Sequence, residues 1–236
     1  MIVTKNDEAA ARLFDDLRFY YDLSGLSETS LALFPRWETL PYEATAPHVG
    51  LIARRMNALH QIRTLPAAKV VTSIDALMQR LMPVEIFLRT VLTFKVGAAI
   101  EREALTAGLL RLGYRRVSVV EIPGEFSIRG GIVDIFSTAY DEPLRVEFLG
   151  ETVESLRLFD PATQKSTAKM DRAMVLPARE YLRTGAPDAF APSPADAEGR
   201  APELYDAMQT LFDYFTAQPL LVFDQPAALK QSCVAL

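Results

Sequence analysis

Residues 113–136 read Gly113-Tyr-Arg-Arg-Val-Ser-Val-Val-Glu-Ile-Pro-Gly-Glu-Phe-Ser-Ile-Arg-Gly-Gly-Ile-Val-Asp-Ile-Phe136. Two runs rich in β-branched residues, Val117–Ile122 and Phe126–Phe136, flank Pro123-Gly124, the composition of two strands joined by a turn. Leu144–Phe148 and Val153–Phe159 continue the pattern, set off by Tyr140-Asp141-Glu142-Pro143 and by Gly150. Short strands at this spacing predict an antiparallel sheet. Upstream, Glu85–Leu92 is apolar-rich and Ile100–Leu112 has helical spacing, with Gly113 standing where a glycine ends a helix.

The chain before Pro83 has a different rhythm. Ile2-Val3-Thr4 is a short apolar start, and Ala10, Leu13, Phe14 and Leu17 then repeat at helical spacing, with Asn6 or Asp7 as N-cap. Leu31–Phe34 reads as a buried strand, Leu51–Ile62 as a helix, Lys69–Ser73 as a strand and Asp75–Leu81 as a helix stopped by Pro83. Alternating strands and helices predict a parallel α/β unit. Between them, Pro35, Pro41 and Pro47 make an extended loop whose Trp37 and Leu40 suit packing. Pro177–Pro202 is a connecting segment, Leu204, Met208, Leu211 and Phe215 predict another helix, and Leu220–Phe223 predicts a strand that returns to the first sheet. The expected fold is α/β with an inserted antiparallel α+β module: residues 1–85 open the α/β unit, 86–172 form the insert, and 173–236 link and return.

The 236 residues carry 25 Lys+Arg against 30 Asp+Glu, a net charge of -5, so nucleic acid could meet only a local basic patch. One cysteine, Cys233, excludes an internal disulfide framework, and His48 and His60 leave little for a metal centre. No apolar run approaches the ~18–20 residues of a membrane span, and the expected compartment is the cytoplasm. A Walker A loop, G-x-x-x-x-G-K-[ST], occurs nowhere. Phe223-Asp224-Gln225-Pro226 has the look of a Walker B strand end, but Gln225 stands where a catalytic Glu would be, and an amide cannot act as general base. The expectation is a chain without catalytic residues, cofactor or metal.

What remains is arginine. If the chain turned back near Gly124, Arg129 would face Val119 or Val120, with Arg115 and Arg116 a rung or two further on. Arg115, Arg116 and Arg129 would then cluster on one edge or face, Phe126 would supply an apolar contact, and Gly130-Gly131 would mark a bulge or close backbone approach. Arginine forks suit carboxylate or phosphate partners. The bland alternative is that each arginine merely pairs with Glu121, Glu125 or Glu147.

Several stretches in order bear a resemblance. They are Phe34-Pro-Arg-Trp-Glu-Thr-Leu-Pro-Tyr-Glu43, Pro47-His48, Arg54-Arg55-Met56, Val70–Arg80, Gly113–Val117, Arg129-Gly-Gly-Ile-Val-Asp-Ile-Phe136, Arg145–Phe148, Glu154–Arg157 and Phe159-Asp160. Together they resemble the N-terminal region of the bacterial transcription-repair coupling factors (Mfd), itself similar to the damage-recognition protein UvrB. The resemblance implies a degenerate, nucleotide-free helicase-like α/β domain carrying an insert that binds UvrA, in a piece of a longer ATP-driven DNA translocase that also meets RNA polymerase and DNA. It implies a UvrA contact at Arg115, Arg116, Phe126, Arg129 and Gly130. Ser127 departs from the family, which often has a further Arg there. Outside this reading stand a DNA-binding helicase fragment using the same patch and a structural or autoinhibitory domain.

Overall fold

The computed structural model describes residues 1–25, 30–37, 48–182, 205 and 207–235, without the side chains of 232–235. It holds parallel and antiparallel sheets. The first sheet has the order β12-β1-β3-β2 and is parallel throughout: β1 is Ile2–Thr4, β2 Leu31–Phe34, β3 Lys69–Ser73 and β12 Val222–Phe223. Helices α1 (Asp7–Leu23) and α2 (Val49–Thr64) follow β1 and β2. Ala10 of α1 packs with Leu31 and Val71, while Met56, Leu59 and Ile62 of α2 pack with Ala32, Phe34 and Val70. Alternate strand residues thus bury against opposite helices, which is why β2 and β3 read as apolar runs without polar alternation. Asn6 caps α1, its side chain accepting from the Ala9 amide at 3.0 Å. Asp7 instead accepts from the Ser73 hydroxyl and the Arg36 amide, tying β3 to the chain beyond β2.

Helix α3 (Ile74–Met78) is shorter than predicted, because Leu81 leaves it to bridge Gln209, amide to carbonyl at 2.8 and 3.0 Å. After α4 (Val84–Thr90), β4 (Leu92–Lys95) pairs with β11 (Arg172–Val175). Helix α5 (Arg102–Arg111) follows, ending at Gly113, whose φ of +84° favours glycine.

The second large sheet has the order β10-β9-β8-β7-β6-β5, from β5 (Arg115–Arg116), β6 (Glu125–Arg129), β7 (Ile132–Ile135), β8 (Leu144–Leu149), β9 (Thr152–Phe159) and β10 (Ser166–Met170). Its core face, with Phe126, Val133, Ile135, Leu144 and Val146, packs on Leu105 and Leu109 of α5. Two expectations fail here. Val117–Ile122 is a loop, and β5 runs parallel to β6, so no hairpin turns at Pro123-Gly124. The loop forms because Glu125 captures the amides of Glu121 and Ile122 at 3.0 and 3.2 Å, donors that a strand would have spent on a neighbour. The hairpin lies at Gly130-Gly131 instead, splitting the predicted Phe126–Phe136 strand in two, with φ of +58° at Gly130. A Cβ on Gly131 would stand 2.8 Å from the Phe148 carbonyl oxygen, the close backbone approach the sequence suggests.

Residues 176–182 are not a loose connection but the seam between the two cores. Leu176 and Tyr181 belong to the first cluster, Ala178 and Leu182 to the second. Glu180, fully buried, meets Arg55 of α2 through two bonds of 2.7 and 2.8 Å. The rest of the predicted connecting segment, 183–202, lies outside the described residues. Of the helix predicted from Leu204 to Phe215, residues 204 and 206 also lie outside, and the described part holds only a 3-10 turn, Leu211–Tyr214. The predicted returning strand is β12, parallel to β1, followed by α6 (Pro226–Ala235).

Candidate protein-binding site

Cross-strand partners point to the same face of a sheet, and neighbours along a strand to opposite faces. Register therefore sorts the candidate arginines. Arg115 pairs with Glu125, and Arg129 lies four residues further along β6, so both share the face away from α5. At about 3.3 Å per residue, they are roughly 13 Å apart along the strand. Arg116 pairs with Phe126 and points to the other face, where it lines a shallow groove with Arg102, Ala107, Leu110 and Ile128. The expected three-arginine cluster is thus a pair plus one.

Each arginine of the pair is backed by a carboxylate. The Arg115 guanidinium, 71% exposed, donates to Glu125 Oε1 at 2.5 Å, and the Glu125 side chain is only 7% exposed. Burial works against the Glu125 charge, but the Glu121 amide, the Arg115 guanidinium and the Ile122 amide outweigh it and hold this carboxyl below its ordinary range. Arg129, about half exposed, donates to Asp134 Oδ2 at 2.6 Å. Asp134 is itself buried and takes Arg145 as well, through Nε at 2.7 Å and Nη2 at 2.9 Å. Arg145 lies 4.2 Å above the Phe159 ring centre and donates to Gln164, and the bonds to Asp134 hold its guanidinium more firmly charged. Arg115 thus pairs with Glu125, one of the carboxylates the sequence offers it, whereas the partner of Arg129 is Asp134 rather than Glu121, Glu125 or Glu147.

The other proposed site residues fare differently. Phe126 is fully buried in the core, so it offers no contact to a partner; as a β6 residue opposite Ile135 it faces α5. Gly130 is exposed at the hairpin tip, and its carbonyl accepts from Arg102 at 2.7 Å. Ser127 is buried on the arginine face, and its hydroxyl has no hydrogen-bond partner among the described residues. Asp134 and Arg145 were missed as site residues. Opposite charges facing each other on neighbouring strands would have signalled them, once the β7–β8 pairing was known.

At the Walker B-like end, the Asp224 amide bonds the Val3 carbonyl, and Gln225 turns the chain into α6 with φ of +53°. Among the described residues no three His, Cys, Asp or Glu side chains gather as metal ligands. No helix there is long and apolar enough to cross a membrane.

Comparison with known proteins places this geometry. Residues 92–181, from β4 to the Glu180 seam, match the UvrB interaction domain. The chain is 35% identical over 186 residues to a transcription-repair-coupling factor of Myxococcus xanthus, covering 77% of this chain and 15% of that protein. It is 32% identical over 165 residues to that of Escherichia coli, covering 70% and 14%, and 36% identical over 170 residues to that of Mycobacterium bovis, covering 69% and 14%. The chain thus spans about 15% of the length of the curated relatives it matches. Residues 92–181 carry a UvrB interaction domain, and the chain is similar to the N-terminal region of the transcription-repair-coupling factors.

Proposed function

We propose that this chain is a non-catalytic protein-binding module that recruits UvrA in transcription-coupled nucleotide excision repair. The observation that carries the reading is the presentation of Arg115 and Arg129. Both lie on one sheet face, inside the matched domain, with guanidinium groups outward and their carboxylates buried beneath. A surface that shows cations while hiding the anions that orient them suits an acidic protein face, and preorganised forks lose little freedom on binding. Gly130 borders this surface at the hairpin tip, Arg116 stands on the opposite face of the same edge strand, and Phe126 supports the surface from the core. The four-stranded parallel sheet is, in this reading, a degenerate helicase-like domain split as 1–85 and 173–236 around an insert at 86–172. ATP-driven translocation and contacts with RNA polymerase and DNA belong to the remainder of a longer protein.

The test is calorimetric titration of the chain with purified UvrA at two salt concentrations. Saturable binding, weakened about tenfold or more by Arg129→Ala with the melting temperature kept, is expected. Unchanged affinity in both Arg115→Ala and Arg129→Ala would remove the surface from consideration.

A further inference from the structure

With Phe126 buried, an apolar part of the proposed contact has to come from elsewhere, and the loop 117–124 borders Arg115. Within it, Val120 is buried, but Val119 and Ile122 stand 45% and 47% exposed. Exposed apolar side chains in a flexible loop mean little. This loop is pinned at both ends and at Glu121-Ile122. Its ends are held by the Arg115 amide on the Gly124 carbonyl at 2.8 Å and the Val117 amide on the Phe126 carbonyl at 2.9 Å. Its middle is held by Glu125, whose Oε2 takes the Glu121 and Ile122 amides while Oε1 takes Arg115. One buried carboxylate therefore holds both the Arg115 guanidinium and the Glu121-Ile122 backbone of the loop that also carries Val119. The loop leaves β5, the edge strand of its sheet, on whose outer side no further strand of the described chain pairs.

We infer that Val119 and Ile122 are the apolar contacts of the UvrA-facing surface and that Glu125 is the residue that positions them together with Arg115. The inference rests on the reading of that surface given above. The occupant it fits is a protein face with an apolar patch bordered by carboxylates, which Arg115 and Arg129 would meet. Glu121, exposed beside Ile122, adds one acidic group and so asks for a cation at that border. An apolar centre with arginine at its margin is the usual composition of a specific interface, and rigid presentation lowers the cost of ordering it.

The test uses the chain with purified UvrA. Val119→Ser and Ile122→Ser, both at exposed positions, are each expected to weaken binding about five- to tenfold while leaving the salt dependence unchanged. Glu125→Gln is expected to weaken it at least as much with unchanged stoichiometry; a mere loss of fold would lower the number of sites and leave the dissociation constant alone. If Arg129→Ala weakens binding but all three of these variants bind as the parent does, this inference fails and the arginine surface stands. If Arg129→Ala and Arg115→Ala bind normally too, the surface itself is wrong.

Discussion

Removing Glu180 should cost this protein a large part of its stability. The Arg55 guanidinium is fully buried and gives Nε and Nη2 to Glu180 at 2.7 and 2.8 Å, and Nη1 to the Pro35 carbonyl at 2.5 Å and Gln79 at 3.0 Å. Its carbon lies 4.2 Å from the centre of the Phe34 ring and 5.1 Å from that of Trp37. In Glu180→Ala the neutral acceptors remain, but the buried cation loses its only counter-charge among the described residues. Breaking such a pair costs about 3–5 kcal/mol, against a total of about 5–15 kcal/mol for a folded protein. With a urea dependence of about 3 kcal/mol per molar, the unfolding midpoint should fall by about 1 M or more. Trp37, the single tryptophan, reports the site by fluorescence, and circular dichroism reports the whole chain. Both should move together, because residues 176–182 belong to both cores. Arg55→Met with Glu180→Leu should recover most of the loss, since it removes the charge and its partner at once. A loss under about 1 kcal/mol in Glu180→Ala would refute the reasoning, as Arg55 would then not depend on that carboxylate.

Other outcomes follow from single contacts. Gly113→Ala must hold a φ of +84° and place a Cβ 2.6 Å from the Arg179 Cγ, so it should lower stability by about 1–2 kcal/mol in thermal unfolding. Tyr114→Phe removes a buried 2.6 Å bond from the phenol to the Leu176 carbonyl and should cost about 1 kcal/mol. Burial raises the Tyr114 and Tyr214 phenols above their usual range. Their contribution to stability is thus complete below about pH 10, the unfolded value, and is lost as pH rises above it. Ultraviolet titration should show both unionised until the chain unfolds; ionisation near pH 10 in the folded state would contradict their burial. Glu125 is held below its ordinary range, so its contribution is present above about pH 4.3 and is lost as pH falls through the lower folded value. Glu125→Gln should quicken hydrogen exchange at the Glu121 and Ile122 amides, and equal rates would show that the carboxylate does not hold the loop.

The parallel sheet was legible because its strands are short runs with apolar centres, bounded by helices whose buried faces repeat at helical spacing. A cap at Asn6 or Asp7, Gly113 as helix end and a strand within Leu220–Phe223 returning to the first sheet needed only local chemistry. The loop at 117–124 was not legible, because its conformation is set by the Glu125 carboxylate, whose capture of two amides no propensity records. That capture turned an expected antiparallel hairpin into a parallel edge pair and so changed which arginines share a face. Burial of Phe126 followed from the same register. The Glu180 seam escaped as well: its partner is 125 residues away, and a stretch rich in proline and alanine has the composition of a linker.

The division of the arginines also separates a protein partner from nucleic acid. Each phosphate neutralised on duplex DNA contributes about 0.9 to the slope of log affinity against log salt. Arg115 and Arg129 share one face and Arg116 lies on the other, so one duplex could engage at most two of the three. Two contacts give a slope of about −1.8, and a rise from 50 to 200 mM salt then lowers affinity only about twelvefold. A dedicated DNA-binding surface with six to ten contacts would lose roughly 10³ to 10⁵ over the same range. On a chain of net charge -5, two guanidinium groups already tied to buried carboxylates make a poor anchor for a polyanion. Binding of duplex DNA by this chain is therefore expected to be weak and to have a shallow salt slope. A slope steeper than about −5, abolished by Arg115→Ala with Arg129→Ala, would reverse that assignment and make phosphate the ligand of this face.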